Sequence, residues 1–173
     1  MNKEYKIVLL GDGGVGKTSL IRRKKTGYFD EGTYEPTFGA EVHTIDFESS
    51  CGTIKFHCWD TSGQEKVGEL RDGYYDGADG AIIMFDLTSR TTYTSKDEWI
   101  HDLFRVSGDL PIAIVGNKAD LVSEIKIKKV GKKIPTTSLK TYCEVSTKEG
   151  RNIDAPFLWL ARRCVGDDEL NFS

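Results

Sequence analysis

The strongest constraint on this chain is a glycine-rich stretch at residues 11–19, which reads Gly-Asp-Gly-Gly-Val-Gly-Lys-Thr-Ser. It fits the phosphate-binding pattern of Gly, four residues, Gly-Lys and Ser or Thr. Glycines let consecutive backbone N–H groups turn toward one anion, because no Cβ atom obstructs the approach. Lys17 adds a positive charge for the outer phosphates, and the Thr18 hydroxyl can ligate Mg²⁺. A ligand-free turn is the alternative, but the Lys-Thr pair has no obvious use in such a turn.

The neighbouring sequence favours the same interpretation. Residues 5–10 are typical of a buried strand that leads into the loop, and residues 18–23 are typical of the first turns of a helix. A phosphate bound between them would meet the positive end of the helix dipole. The sequence therefore predicts a strand, a phosphate-binding loop and a helix in succession.

Composition excludes several classes of function. The chain has 173 residues and a net charge of −3, which gives no electrostatic reason to expect direct nucleic-acid binding. Its four cysteines form no Cys-x-x-Cys pair, so we expect reduced thiols in the cytosol or nucleus, and the scattered histidines argue against a zinc site. We also expect no membrane anchor, because no apolar run reaches spanning length and no prenylation cysteine lies four residues from the end.

Apolar runs alternate with helical stretches, which predicts an α/β fold with a mainly parallel sheet covered by helices on both faces. Residues 41–47 and 53–59 alternate in polarity around a short turn, which predicts a hairpin and hence an antiparallel edge strand. Further strands are predicted at residues 80–86, 111–116 and 139–145. A helix at residues 91–106 should turn Trp99 toward the core and Lys96 toward solvent.

Two later segments carry separate expectations. Residues 123–135 fit either a helix or a partly extended segment, because Gly131 and Pro135 interrupt them. Asn152 is the predicted cap of a last helix, which has Pro156 near its start, where proline is tolerated.

Polar residues suited to ligand binding follow four of the predicted strands, beginning at Gly11, Asp60, Asn117 and Ser146. Open parallel sheets bind ligands at the carboxyl ends of their strands. We therefore expect these four loops to form one composite site.

The loop after the third predicted strand reads Asp-Thr-Ser-Gly-Gln from Asp60. Asp60 can hold Mg²⁺ through water, because this small ion gives up its waters reluctantly. Gly63 can offer its N–H to a terminal phosphate, and Gln64 can orient a water for in-line attack on that phosphate. A capped turn of Asp, Ser and Gly is the alternative, which the upstream phosphate loop disfavours.

The Asn-Lys-Ala-Asp segment at residues 117–120 predicts a base-binding loop. A carboxylate at Asp120 accepts two hydrogen bonds from the N1–H and 2-amino group of guanine, whereas adenine has no such donor pair. Asn117 can brace the loop and reach the base edge, and the Lys118 stem can lie across the ring. Residues 146–148 are expected to complete the pocket with a backbone N–H for the base carbonyl.

Together, these loops resemble those of the Ras-superfamily small GTPases, and the resemblance extends over essentially the whole chain. Within that superfamily the chain is most similar to the Ran family of nuclear transport. The runs that carry this similarity are Gly39-Ala40-Glu41-Val42-His43, Ile54-Lys55-Phe56, Gln64-Glu65-Lys66, Leu70-Arg71-Asp72-Gly73-Tyr74-Tyr75, Ala81-Ile82-Ile83-Met84-Phe85-Asp86, Thr88-Ser89-Arg90 and Pro156-Phe157-Leu158-Trp159-Leu160-Ala161-Arg162.

The resemblance implies a P-loop NTPase G domain with a six-stranded, mostly parallel sheet, one antiparallel edge strand and helices on both faces. It implies a single domain over residues 1–173, without the C-terminal helix and acidic tail with which Ran proteins continue. It also implies that Thr37 meets Mg²⁺ and the γ-phosphate, that Phe29 stacks edge-on against guanine, and that Tyr34 lies near the γ-phosphate. The segment between Phe29 and Thr37 is one residue longer than in that family.

The predicted cofactors are GTP or GDP and Mg²⁺. Predicted catalytic residues are Gln64, Lys17 and Thr37, and predicted metal-binding residues are Thr18, Thr37 and, through water, Asp60. The residues predicted to bind the nucleotide are Asp12, Gly13, Gly14, Val15, Gly16, Lys17, Thr18, Ser19, Phe29, Tyr34, Thr37, Gly63, Asn117, Lys118, Asp120, Ser146, Thr147 and Lys148.

The resemblance also implies partners and a location. The expected partners are importin- and exportin-type transport receptors, Ran-binding proteins, an exchange factor and a GTPase-activating protein, in the nucleus and cytoplasm. A cluster formed by Lys126, Lys128, Lys129, Lys132 and Lys133 fits either a basic patch for acidic partners or an ordinary solvated face.

The sequence thus predicts a GTP hydrolysis switch of the Ran type, with slow intrinsic turnover because no arginine is obviously placed to act in cis. A nucleotide-loaded scaffold with little hydrolysis is one alternative, and a Rab- or Rho-like trafficking GTPase without its lipidated tail is another. A P-loop kinase of small metabolites is least favoured, because residues 117–120 would then have no purpose.

Overall fold

The structure, a computed structural model, describes residues 2–31, 39–61 and 69–173, with only the backbone of residues 69–71. The predictions for Tyr34, Thr37, Gly63 and Gln64 lie outside these ranges.

Six strands in the described part of the chain form one sheet in the order β2-β3-β1-β4-β5-β6. The β2–β3 pair is antiparallel and every other neighbouring pair is parallel, which confirms the predicted sheet with its antiparallel edge strand. The strands are β1 (Lys3–Leu10), β2 (Ala40–Ser49), β3 (Gly52–Thr61), β4 (Gly80–Asp86), β5 (Ile112–Asn117) and β6 (Lys140–Glu144). The carboxyl ends of the five mutually parallel strands therefore meet at one edge of the sheet.

Helices cover both faces of this sheet, as predicted. They are α1 (Lys17–Thr26), α2 (Glu69–Tyr75), α3 (Arg90–Ser107), α4 (Glu124–Lys133) and α5 (Ala155–Val165), with a 3-10 turn at Ala119–Leu121. None of the helices in the described ranges combines the length and apolar character needed to cross a bilayer.

Residues 123–135, for which the sequence fits either a helix or a partly extended segment, contain the helix α4. The Ser123 hydroxyl accepts a hydrogen bond from the Lys126 N–H at 3.2 Å and so caps the first turn. Gly131 lies inside the helix, which reaches Lys133 just before Pro135. Ile134 is buried beneath the helix end, so packing outweighs the low helix propensity of the glycine.

Two apolar clusters lie on opposite faces of the sheet because side chains alternate along each strand. In β1, Ile7 and Leu9 pack in a cluster with residues of α1 and α5. Val8 and Leu10 pack on the other face, with residues of α2 and α3. All four side chains are fully buried, so β1 lies between two packed layers and holds the loop that follows it in place.

The predicted solvent-facing position of Lys96 is wrong, because its side chain is 4% exposed. Its ammonium lies 3.6 Å from the centroid of the Tyr93 ring and donates to the Tyr93 carbonyl at 3.1 Å. Burial lowers the pKa of Lys96, although the nearby Asp97 acts in the opposite direction. The helical pattern predicts that the Lys96 ammonium is surrounded by water, but the face of an aromatic ring takes the place of much of that water.

The predicted cap at Asn152 is also wrong. Asn152 has a φ of 61° and its side-chain amide donates to the Glu144 carbonyl at 2.9 Å, so it closes the loop after β6. The helix α5 begins later, at Ala155, with Pro156 in its first turn. Asparagine tolerates the left-handed conformation, and here that property is used in a loop.

Candidate functional site

A cavity of about 940 Å³ lies at the carboxyl edge of the sheet. Residues from the loop after β1, from the segment after α1, and from the loops after β5 and β6 line it. Of the predicted nucleotide-binding residues, the structure places these in its lining: Gly13, Gly14, Gly16, Lys17, Thr18, Ser19, Phe29, Asn117, Lys118, Asp120, Thr147 and Lys148. Thr61, at the end of β3, also lines it, so the described residues of the four expected loops border one continuous space, and the loop after Thr61 lies outside the described residues.

Three residues predicted to bind the nucleotide lie in the described ranges but do not line the cavity, and neither does Asp60, which is predicted to hold the metal through water. Asp12 faces α3, Val15 is fully buried in the core, and Ser146 is fully buried beneath the loop that contains it. Val15 and Ser146 still take part in hydrogen bonds that shape the cavity wall.

Two glycines of the loop have positive φ angles that disfavour any other residue, and at one of them a side chain would also lack space. Gly16 has a φ of 104°, and a Cβ there would lie 2.3 Å from the Asn117 amide nitrogen. Gly14 has a φ of 81° and faces open space. The helix α1 begins immediately after Gly16 without a side-chain cap, so its positive end faces the cavity. This arrangement suits an anion at the start of the helix.

Lys17 is buried within the loop rather than extended into solvent. Its ammonium donates to the carbonyl oxygens of Gly11 at 2.7 Å and Asp12 at 3.0 Å. Burial lowers the pKa of Lys17 to about 8, although Asp60 and Asp12 act in the opposite direction. Two neutral carbonyls compensate a buried cation only in part, so an anionic ligand would supply the missing counter-charge.

Thr18 and Asp60 form the part of the site suited to a divalent cation. The Thr18 hydroxyl donates to Asp60 Oδ2 at 2.5 Å, which joins α1 to β3. Asp60 is fully buried, and its Oδ1 has no hydrogen-bond partner among the described residues. Burial raises the pKa of this carboxyl despite the hydrogen bond from Thr18 and the charge of Lys17. Asp60 was expected in a loop, but β3 continues through it to Thr61.

These residues fit Mg²⁺ bound mainly by water and phosphate. No cluster of three or more His, Cys, Asp or Glu side chains suited to a metal occurs in residues 2–31, 39–61 and 72–173. A hydroxyl and an unsatisfied carboxylate oxygen instead suit a small cation that keeps several waters. Thr18 would hold such a cation directly and Asp60 through water.

Asn117 ties three loops together at the other end of the cavity. Its amide nitrogen donates to the Val15 carbonyl at 2.9 Å. Its amide oxygen accepts hydrogen bonds from the Thr147 N–H at 3.2 Å and hydroxyl at 3.0 Å. Asn117 is 2% exposed, and these bonds use its amide oxygen and one of its two amide N–H groups. The structure shows the bracing part of the role predicted for this residue.

Lys118 has a φ of 66° and joins the base-binding loop to the phosphate loop. Its ammonium lies 2.8 Å from Asp86 Oδ2 and donates to the Gly14 carbonyl at 3.2 Å. With both ends fixed, the aliphatic stem forms part of the cavity wall, as expected for a side chain that covers a ring.

Asp120 is oriented by a buried partner. The Ser146 hydroxyl donates to Asp120 Oδ1 at 2.7 Å and accepts a hydrogen bond from the Glu149 N–H at 3.1 Å. The Ser146 N–H donates to the Arg151 carbonyl at 3.1 Å, and the Thr147 N–H donates to Asn117. The N–H groups of Ser146 and Thr147 are thus bonded within the protein, while Thr147 and Lys148 line the cavity.

The segment after α1 lies over the same end of the cavity. Phe29 and Tyr28 both line the cavity, and Phe29 is partly exposed whereas Tyr28 is largely exposed. Glu31 and Lys148 form an ion pair at 3.2 Å, which joins this segment to the loop after β6. Phe29 is thus placed where a planar ring in the cavity could meet its edge.

Two residues that position side chains of this site were not predicted from the sequence. Asp86 ends β4 and pairs with Lys118, and Trp99 of α3 donates from Nε1 to Asp12 Oδ1 at 3.0 Å. A charged residue at the end of an otherwise apolar strand was a signal for Asp86, because that end lies at the ligand-binding edge. No local pattern pointed to Trp99, whose partner lies 87 residues away.

Comparison with known protein families places the chain in a family of nucleotide-binding proteins. The sequence model of the Ras family matches residues 6–166, which include every described segment that lines the cavity. Members of this family are small GTPases that bind guanine nucleotides and typically Mg²⁺, and they generally interact with exchange factors and activating proteins.

Proposed function

This chain belongs to the Ras family and is a small GTPase, and we propose that it is a switch of the Ran type, acting in nucleocytoplasmic transport. One observation carries the nucleotide assignment: a single cavity brings the phosphate loop together with Asp120 and the loop after β6. The Ran assignment depends on the sequence similarity and is tested separately below.

In this proposal the guanine base lies between Asn117 and Lys148, with Asp120 as the group that selects it. The Asp120 carboxylate accepts from guanine N1–H and the 2-amino group, while Ser146 fixes its orientation. Phe29 meets the ring edge-on and the Lys118 stem lies across it, as both residues line the cavity.

A competition experiment tests this placement. Excess unlabelled GDP and GTP should displace a fluorescent GDP from the wild-type protein, and ATP should fail because adenine lacks the donor pair. Asp120→Asn should weaken GDP binding and favour a xanthine nucleotide, whose 2-carbonyl can accept a hydrogen bond from the new amide. Equal displacement by ATP and GTP would contradict guanine selection.

The phosphates lie along residues 13–18, where the loop amides and the end of α1 face the cavity. Lys17 is held beside the loop and contributes positive charge toward the β- and γ-phosphates. Bound Mg²⁺ would neutralise charge on the phosphate oxygens, with Thr18 as its direct protein ligand and Asp60 as its partner through water.

Hydrolysis is assigned to Gln64 as the residue that orients the attacking water, and Thr37 is assigned to the γ-phosphate and Mg²⁺. Both remain predictions from the sequence and the family resemblance. Gln64→Leu is expected to retain GTP binding and to lose hydrolysis stimulated by an activating protein. Unchanged stimulated turnover, measured as phosphate release from preloaded protein, would contradict the role of Gln64.

The transport role is supported by the sequence runs shared with the Ran family. Several of them lie in described elements, at the start of β2, in α2, in β4 and in α5. In the resembled family, the GTP form binds transport receptors and the GDP form binds an import factor. We accordingly place this protein in both nucleus and cytoplasm, with receptors, Ran-binding proteins, an exchange factor and an activating protein as partners.

A pull-down comparison tests the Ran assignment apart from nucleotide binding. Protein loaded with a non-hydrolysable GTP analogue should retain an importin-type receptor, and GDP-loaded protein should not. The matched control is thus the same wild-type protein in its other nucleotide state, with no substitution that could alter folding. Binding of guanine nucleotide with no state-dependent receptor capture would leave the GTPase assignment standing and reject the transport role.

A further inference from the structure

Asp12 is the acidic residue within a loop otherwise suited to an anion, and α3 holds its side chain. Trp99 Nε1 donates to Asp12 Oδ1 at 3.0 Å, and the Asp12 carbonyl accepts a hydrogen bond from Lys17 Nζ at 3.0 Å. Both the side chain and the backbone of Asp12 are therefore fixed. Trp99 itself is 5% exposed and packs in the apolar cluster that contains Leu10 and Leu103.

This hydrogen bond determines which way the carboxylate points. The described residues that line the cavity include Gly13 and Gly14, the next two residues of the loop, but not Asp12. The carboxylate instead points toward α3, on the side of the loop away from the space assigned to the phosphates. A hydrogen bond to a charged acceptor is among the stronger ones, so the indole is a firm anchor.

A carboxylate without that anchor would oppose phosphate binding in two ways. Its negative charge would repel the phosphates, since like charges a few ångströms apart interact strongly where water is partly excluded. It would also be free to compete with the phosphates for the donors of the loop and for Lys17. The hydrogen bond from Trp99 is therefore expected to favour phosphate binding because its acceptor is charged.

We propose that Trp99 is a positioning residue for nucleotide retention, whose indole N–H holds the Asp12 carboxylate against α3 and away from the bound phosphates. The proposal rests on the proposed binding of a guanine nucleotide at this loop. Trp99 touches neither the nucleotide nor the reacting atoms in this role and acts through Asp12.

The test is a double-mutant cycle on release of a fluorescent GDP from the full chain. Trp99→Phe removes the donor but keeps an aromatic ring, and release should become about tenfold faster, the size expected for loss of a charged hydrogen bond. Asp12→Asn keeps an acceptor and removes the charge. In that background Trp99→Phe should change release less than about twofold, because no charge is set free.

Two readouts separate positioning from packing. The acceleration caused by Trp99→Phe should shrink as NaCl is raised, because salt screens the released charge. Trp159→Phe, a partly buried tryptophan of α5, is the matched control and should leave release unchanged. Equal acceleration by Trp99→Phe in the wild-type and Asp12→Asn backgrounds, or no acceleration in either, would overturn the proposal.

If the Trp99→Phe protein does not fold, the same hydrogen bond can be tested in proteins that keep Trp99. Hydrogen exchange of the Trp99 indole N–H, followed by NMR on ¹⁵N-tryptophan protein, should be faster in Asp12→Ala and nearly unchanged in Asp12→Asn. Equal exchange in Asp12→Ala and wild type would reject the anchor. Failure of the wild-type protein to bind GDP would instead reject the proposed function.

Discussion

The two ends of the cavity are built in different ways. The phosphate end comes from one continuous stretch, and its shape depends on backbone amides, glycines and the start of α1. The base end joins side chains to partners distant in sequence, as with Asn117 to Val15 and Lys118 to Gly14. The phosphate end is therefore expected to contribute mainly to ligand affinity, whereas the base end is expected to contribute to the stability of the fold as well. Substitutions at the two ends should separate affinity from stability.

The largest effect on affinity is expected at the phosphate end. Lys17→Ala should weaken GDP binding by roughly 100-fold, because the charged hydrogen bonds to the phosphates are lost. The free energy of unfolding of the nucleotide-free protein should change by less than about 1 kcal/mol, since removal of a costly buried cation offsets its two hydrogen bonds to carbonyls. Fluorescent GDP titration and urea unfolding measure the two quantities.

The matched control for this prediction is Lys25→Ala, because Lys25 is an exposed lysine of the same helix. It should leave both the affinity and the stability unchanged. A Lys17→Ala protein that binds GDP normally would contradict the role of the loop, and one that loses several kcal/mol would erase the contrast between the two ends.

The second effect should appear in stability as well as in affinity. Asn117→Ala removes the hydrogen bonds to Val15 and Thr147. The Val15 carbonyl and the N–H and hydroxyl of Thr147 are then buried without these partners. The free energy of unfolding of the nucleotide-free protein should fall by about 2–3 kcal/mol. Urea unfolding without nucleotide measures this loss directly.

An exposed asparagine provides the comparison for that result. Asn171→Ala removes surface hydrogen bonds, one to the Glu169 carbonyl and one from Arg162, and none of them joins the loops of the cavity. It should cost less than about 1 kcal/mol. Equal losses from the two variants would show that Asn117 does not brace the loops.

A smaller effect is expected where one base-end residue orients another. Ser146→Ala removes the hydroxyl that donates to Asp120, so GDP affinity should fall by about three- to tenfold, as for loss of one hydrogen bond. Ser107→Ala is the control, because its hydroxyl bonds to the Tyr75 carbonyl on the α3 side of the sheet. Unchanged affinity in Ser146→Ala would indicate that Asp120 needs no orienting partner.

The smallest effect concerns acid stability. Burial alone would raise the pKa of Asp86, but hydrogen bonds from Lys118 and Thr88 outweigh it and lower the pKa below its ordinary value of 3.8. A lowered carboxyl pKa contributes stability above the ordinary value, and this contribution is lost as the pH falls through the folded-state pKa. The stability difference between wild type and Asp86→Asn should therefore be constant from pH 7 to about 5 and shrink below 3.8.

Urea unfolding at pH 7, 5 and 3 measures this difference. Asp46→Asn is the control, because its carboxylate is about half exposed and only 3.7 Å from Lys55 in a surface pair. A difference for Asp86→Asn that grows as the pH falls would contradict the direction of the pKa shift.

The sequence predicted those features that depend on nearby residues. Alternation of polarity identified the β2–β3 hairpin, and continuous apolar runs identified β4 and β5, because burial on one or both faces leaves those patterns. Closely spaced glycines followed by Lys17 and Thr18 identified the phosphate loop, because that local pattern lets backbone N–H groups surround an anion. The positions of Asp60, Asn117 and Ser146 at one edge followed from the rule for parallel strands.

The features missed are those in which a partner lies far along the chain. Lys96 was placed in solvent because a helical pattern contains no information on the Tyr93 ring and the packed sheet beneath it. The sequence predicts Asn152 as a helix cap because asparagine is common both at helix caps and in left-handed loop positions. The Trp99–Asp12 hydrogen bond could not be found at all without the packing of α3 on the sheet.

The close approach of Gly16 to Asn117 limits how related sequences can diverge. Any side chain at position 16 would collide with the Asn117 amide at 2.3 Å, and a shortened residue at position 117 would lose the brace. Neither position can drift alone, so a combinatorial library that recodes base preference should vary residues 118–121 while holding this pair constant. The two ends of the cavity are in that sense constrained together.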